Sequence, residues 1–340
     1  MIQKIKPASI LACLLFMTIS EVFSQPNFLQ FRNGSFKIVQ FTDTHIKANR
    51  KESQVSISTI QTVLDIENPD LVIFTGDVVV ARPVFKGWEM VLKPCIDRDI
   101  PYAVVFGNHD DEHGISREML ADSISKMPYS LLQPRVEGVY GFGNYVLELH
   151  ASDSERIVNL LYCIDSNAYS INKKYKGYGW IMPSQIDWYQ KESRHYAATQ
   201  NAVLPALAFF HIPLPEYSAA FFDPVFINKG YRNENECSPE FNSGMFNTMV
   251  KCGDVMATFA GHDHVNDYIA YKEGIALAYG RFTGSTNTYG SLDCGARVIE
   301  MHEGQRSFTT WIRTGNGIKL QVVNYPYDFI PANKEILTLE

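Results

Sequence analysis

Residues 36–45 read FKIVQFTDTH, a largely apolar run that ends on Asp43 and His45. The run is rich in Phe, Ile and Val and too short for an ordinary helix, so it reads as a buried strand. The pattern recurs at residues 71–74, 102–106, 205–210 and 255–260. Each run leads into groups that bind metals or move protons: Gly76-Asp77, then Gly107-Asn108-His109-Asp110, then His211, then Gly261-His262-Asp263-His264. Helical spacing separates several of these runs. Residues 53–68 place Ile57, Ile60, Val63 and Leu64 on one stripe, and residues 84–97, 116–126 and 184–196 are further helix candidates. Strands alternating with helices predict an α/β sheet with covered faces, and such sheets bind ligands at the carboxyl ends of their strands.

Further strands are expected at residues 139–142, 145–149, 157–164, 275–279, 296–301 and 307–313, and an irregular tail from Pro326 onward. No repeat, low-complexity tract or linker interrupts the chain, so residues 25–340 read as one domain. Residues 1–24 differ from the rest. Lys4 and Lys6 precede an apolar stretch, and Val22 and Ser24 suit a cleavage site. That is the layout of a signal peptide, which predicts an exported protein, periplasmic or secreted, with no stable membrane insertion once the segment is removed. Five cysteines would remain, Cys95, Cys163, Cys237, Cys252 and Cys294, widely spaced and without a CxxC pair. An odd number leaves at least one thiol outside any internal disulfide.

The 340 residues are 46% hydrophobic, enough for a sizeable core, and the formal net charge is −7. No run of Lys and Arg makes a basic patch, which disfavours a nucleic-acid partner. An acidic chain still suits a phosphorylated substrate if bound metal ions supply local positive charge.

A lone His or Asp at a strand end is more often a turn or capping residue than a ligand. Five such ends choosing Asp, Asn or His together is a different matter. Asp43 with His45, and His262 with His264, stand two residues apart, which in extended backbone points both side chains to one side. Oxygen and imidazole donors without thiolate suit Fe, Mn or Zn. Two divalent ions bring four positive charges; Asp43, Asp77 and a hydroxide would remove three, leaving one to attract phosphate.

The order DxH, GD, GNHD, H, GHxH resembles the calcineurin-like metallophosphoesterase superfamily, with all five blocks present from Asp43 to His264. Residues 107–118, 210–217 and 261–267 are similar to its purple acid phosphatase-like subgroup. The resemblance implies a sandwich of two mixed β-sheets flanked by helices. It implies one metal held by Asp43, His45, Asp77 and His264, and a second held by Asp77, Asn108, His211 and His262. It also implies a hydroxide between the metals as nucleophile, His109 beside the phosphoryl group and Asp110 polarising its imidazole. The activity implied is hydrolysis of a small phosphate ester, a monoester first, with phosphodiesters and nucleotide pyrophosphates as alternatives and a non-catalytic scaffold as the remote one. Two positions depart from the subgroup. Val80 stands where purple acid phosphatases carry the Tyr that gives their colour. Arg281 and Thr283 replace part of a Gly- and aromatic-rich segment at residues 280–289, which makes Arg281 a candidate substrate contact.

Overall fold

The computed structural model describes residues 28–133, 135–284 and 290–329. The predicted signal peptide and most of the predicted tail lie outside them. The chain runs through β1 (Leu29–Gln30), β2 (Ser35–Phe41), α1 (Ser53–Glu67), β3 (Leu71–Thr75), α2 (Val84–Ile96), β4 (Tyr102–Val105) and α3 (Arg117–Ile124). It continues with β5 (Tyr145–His150), β6 (Ile157–Cys163), α4 (Pro183–Gln200), β7 (Ala206–Phe209), α5 (Glu216–Phe221), α6 (Met245–Cys252) and β8 (Val255–Ala260). It closes with β9 (Ile269–Lys272), β10 (Ile275–Tyr279), β11 (Gly295–His302), β12 (Phe308–Thr314) and β13 (Lys319–Tyr325).

Two mixed sheets result, in the orders β1-β5-β6-β7-β8-β10-β9 and β13-β12-β11-β2-β3-β4. β2, β3 and β4 are parallel in one sheet, as are β6, β7, β8 and β10 in the other. Strands of period two send alternate side chains to opposite faces, and β7 shows the outcome. Leu207 and Phe209 join the core between the sheets, whereas Ala206 and Ala208 join a second core beneath α4 and α6. Phe209 stacks on Phe259 with ring centroids 5.2 Å apart, and Phe259 meets Phe308 of the opposite sheet at 6.0 Å. α1 covers the outer face of the second sheet. Both faces of the parallel strands are therefore dry, which is why β3, β4 and β8 are buried throughout.

The edge strand β4 does not face water bare. The Tyr145 hydroxyl of the first sheet accepts from the Val104 amide and donates to the Val104 carbonyl, each at 2.9 Å. That satisfies backbone groups an edge would expose.

The predicted strands and helices are present with shifts at their ends, except one. Residues 139–142 form an irregular bend, with Gly141 at φ +81°, and the Phe142 amide donates to Asp165 at 3.0 Å. The apolar reading of Val139, Tyr140 and Phe142 fails there because the flanking glycines favour a turn over a pleat. The short elements β1, β9, α5 and α6 and the polar strand β13 carry no clear pattern in the sequence. Among the described residues no helix is long and apolar enough to cross a membrane, and all five cysteines there are free thiols.

Candidate metal centre

The carboxyl ends of β2, β3 and β4 meet those of β7 and β8 at one seam between the sheets. Backbone bonds close it: the Asp43 amide donates to Gly76 O at 3.0 Å, His45 to Asp77 O at 3.1 Å, and Gly261 to His211 O at 3.0 Å. The Gln40 amide group crosses between sheets, donating to Ala260 O at 3.0 Å and Thr75 Oγ1 at 2.9 Å. Asp43, His45, Asp77 and His262 all sit at positive φ, +51°, +49°, +50° and +77°. The expectation that pairs two apart reach one side through extended backbone is thus corrected. The chain turns left-handed at the ends of β2, β3 and β8, and the sandwich supports the strain this costs.

The side chains fall into two groups, Asp43 with His45 and His264, and Asp77 with His211 and His262, the ligand atoms in each within 4.8 Å of one another. His262 and His264 therefore serve different groups. Asp77 Oδ2 lies 3.3 Å from His211 Nε2, 3.9 Å from His45 Nε2 and 4.0 Å from His109 Nε2, so one oxygen faces both groups. The other, Oδ1, accepts from the His109 amide at 2.9 Å. Asp43 is divided the same way. Its Oδ2 accepts from Thr42 Oγ1 at 2.7 Å and the His262 amide at 3.0 Å, while Oδ1 faces His264 Nε2 at 3.4 Å. His211 is buried and its Nδ1 meets Thr75 O at 2.8 Å, which aims Nε2 at Asp77.

Asp43 Oδ1, His45 Nε2, Asn108 Oδ1 and His262 Nε2 are buried with no hydrogen-bond partner. Buried polar atoms are ordinarily paired, and four unpaired lone-pair donors in one seam fit metal ions. Space is equally constrained. A Cβ on Gly76, itself at φ +89°, would lie 2.5 Å from His211 Nδ1, and one on Gly261 would collide with Thr42 Oγ1.

The charges respond to burial and to one another. Burial would raise Asp43, but His264 and His211 hold it down at about 2. Burial lowers His45 to about 4 and His262 to about 3, each aided by a neighbouring histidine. Burial pulls His211 down too, yet Asp77 outweighs it and raises that histidine to about 9.

Two expectations are corrected here. Asp110 does not touch the His109 ring. Its carboxylate is buried and accepts from the amides of Asp77 (3.0 Å), Val78 (2.8 Å), Val79 (3.2 Å) and Gly107 (2.8 Å), clamping two strand ends together. The imidazole's partner is Glu112, whose Oε2 lies 2.7 Å from His109 Nδ1. Nor does Arg281 face the seam. It is buried against the Asp267 carboxylate and donates to Asp293 O at 2.8 Å, while Thr283 Oγ1 donates to Gly295 O at 2.8 Å. Sequence reasoning also missed two tyrosines. Tyr178 meets His262 edge-on at 4.3 Å and stacks with Tyr169 at 6.0 Å. The Tyr169 hydroxyl donates to Glu112 Oε1 at 2.9 Å and lies 3.4 Å from Asn108 Nδ2.

The profile of the family described as Calcineurin-like phosphoesterase matches residues 36–266, the stretch that carries every residue of this seam. The chain belongs to that family. This family member is 35% identical to "Probable inactive purple acid phosphatase 29" of Arabidopsis thaliana, over 88% of this chain and 85% of the relative. It is 33% identical to "Phosphatase DCR2" of Saccharomyces cerevisiae, over 86% of this chain and 56% of that longer relative. Its fold is that of a dimetal phosphatase from Danio rerio (TM-score 0.55, 12% identity, 85% of this chain and 98% of that one). It is equally that of purple acid phosphatase PPD1 from yellow lupin (TM-score 0.55, 14% identity, 86% and 54%).

Proposed function

We propose that this phosphoesterase hydrolyses small phosphate monoesters with two metal ions, drawn from Fe, Mn and Zn, and that it acts outside the cytoplasm after losing residues 1–24. The observation that carries the catalytic reading is the set of bare, buried donor atoms grouped on either side of Asp77 Oδ2. Asp43, His45, Asp77 and His264 would hold one ion, and Asp77, Asn108, His211 and His262 the other. The word "inactive" belongs to the plant relative's name and "phosphatase" to the yeast relative's. The complete donor set here favours the second, since a scaffold has no need of unpaired buried donors.

Bound ions would supply charge for the phosphoryl oxygens and acidify water. The chain's own groups do the rest. Backbone clamps hold the donors in place before substrate arrives, so little reorganisation is needed. His109 is the half-exposed member, and its Nε2 lies 4.0 Å from Asp77 Oδ2. That position suits holding a proton for the leaving oxygen.

The test is hydrolysis of p-nitrophenyl phosphate and its bis-ester by metal-stripped protein, with Mn, Zn or Fe added back singly. Metal-restored turnover with the monoester preferred is expected. Asp77→Asn and His211→Ala should abolish it in folded protein, and full activity in either would sink the proposal. Preference for the bis-ester would move the assignment to a phosphodiesterase.

A further inference from the structure

A cavity of about 470 Å³ is lined in part by Tyr169, whose hydroxyl reaches the metal centre at Asn108. Tyr169 belongs to both places. Its hydroxyl reaches Glu112 and Asn108, and its side chain lines the cavity. Asp111, Ser116 and Asn167 form a polar part of the lining, and the other part is apolar and open to water. Tyr140 and Ile171 are 43% and 69% exposed, Phe142 is half-buried, and the Arg135 guanidinium lies 5.5 Å over the Phe142 ring. The floor is rigid. Arg117 is buried there, ion-paired with Asp165 and donating to Gly107 O at 2.5 Å, so the cavity and the strand end that carries Asn108 and His109 share one support. Apolar and aromatic side chains left open to water, with one cation on a ring face, favour a flat apolar group over an extended polar one.

We infer that this cavity is the leaving-group subsite and that it takes a planar aromatic ring. The inference rests on the phosphoesterase reading above. A phosphoryl group at the two donor clusters would have its ester oxygen beside His109. The ring borne on that oxygen then lies against Tyr169, on the side of Tyr140, Phe142 and Ile171. A phosphotyrosine side chain and a nucleoside base share this chemistry.

The experiment compares kcat/KM for phenyl phosphate and ethyl phosphate in the metal-loaded full chain and in Ile171→Ala and Tyr140→Ala. Each variant should lower the phenyl-to-ethyl ratio about five-fold, because a partly exposed apolar contact is removed from the ring alone. An unchanged ratio in both variants overturns the inference. Phosphotyrosine and adenosine monophosphate run alongside, and the one whose kcat/KM falls with that of phenyl phosphate names the source of the ring. If the wild-type chain turns over none of these, the hydrolase reading fails separately. Calorimetry with phenylphosphonate and methylphosphonate then decides the subsite. Tighter binding of the phenyl compound that Ile171→Ala removes supports it, and equal binding overturns it.

Discussion

Glu112 Oε2 stands 2.7 Å from His109 Nδ1, while Glu112 Oε1 accepts from the Tyr169 hydroxyl. The carboxylate thus holds the imidazole on one side and the aromatic wall on the other. Burial would raise Glu112, but His109 and the Tyr169 hydroxyl together outweigh it and hold the carboxyl below its usual range, so the pairing persists at neutral pH.

Glu112→Ala is therefore expected to lower kcat about ten-fold with KM little changed, less than the 10²–10⁴ typical of losing a general acid itself, as in His109→Ala. Glu112→Gln keeps an acceptor for Nδ1–H and should recover most of the loss. Steady-state kinetics on p-nitrophenyl phosphate checks this, and equal kcat in wild type and Glu112→Ala would remove Glu112 from the account.

Asp110 predicts a different signature. Its four amide partners are buried at the junction of β3 and β4 with their loops. Asp110→Ala leaves them without an acceptor, a loss on the order of 3–5 kcal/mol. Denaturant unfolding should register that directly. A variant of unchanged stability but abolished turnover would instead restore the reading in which Asp110 serves the imidazole.

Arg281 should matter for folding and not for substrate. Truncating it leaves the buried Asp267 carboxylate without its ion-pair partner, held by the Tyr231 amide and the Gln321 side chain alone, which costs about 3–5 kcal/mol. Arg281→Ala is expected to melt at lower temperature, with KM for p-nitrophenyl phosphate unchanged in the folded fraction. A several-fold rise in KM at full stability would place the side chain back in the substrate pocket.

The metal-free protein carries a pH signature in His211, raised to about 9. A histidine raised in the fold above its unfolded value of about 6.5 adds stability that is fully present below that value. That stability is lost as pH rises through about 9. Metal binding runs the opposite way, because Nε2 must give up its proton to become a ligand. Through His211 alone, apparent metal affinity should fall by up to about ten-fold per unit as pH drops from 9 toward 6.5. His45 and His262, lowered to about 4 and 3, add to this only in acid. Calorimetry in two buffers of different ionisation enthalpy measures the protons released, and none at pH 7 would contradict the His211–Asp77 pairing.

Much of the frame was legible in the sequence because its causes are local. A strand buried on both faces must be apolar along its length, and a ligand must follow where the strand ends, so residues 36–45 announce β2, Asp43 and His45 without a partner in view. The donor residues were readable for the same reason, whereas their division into two groups came only from the resemblance to the metallophosphoesterases, since spacing alone pairs His262 with His264. Hydrogen-bond partnership was not readable, because it depends on what folding brings alongside. Asp110 and Glu112 are both acids in one loop, and only the approach of β3 brought the amides of Asp77, Val78 and Val79 to the first and left the second to His109. Arg281 looked like a free cation until Asp267, fourteen residues earlier, was packed against it. Tyr169 and Tyr178 carry no signal at all in the chain, since an aromatic ring becomes a wall only when a distant segment closes over the seam. Local chemistry thus determined which atoms are available, and the tertiary fold decided which of them meet, because burial forces each polar group to find its partner through space and not along the chain.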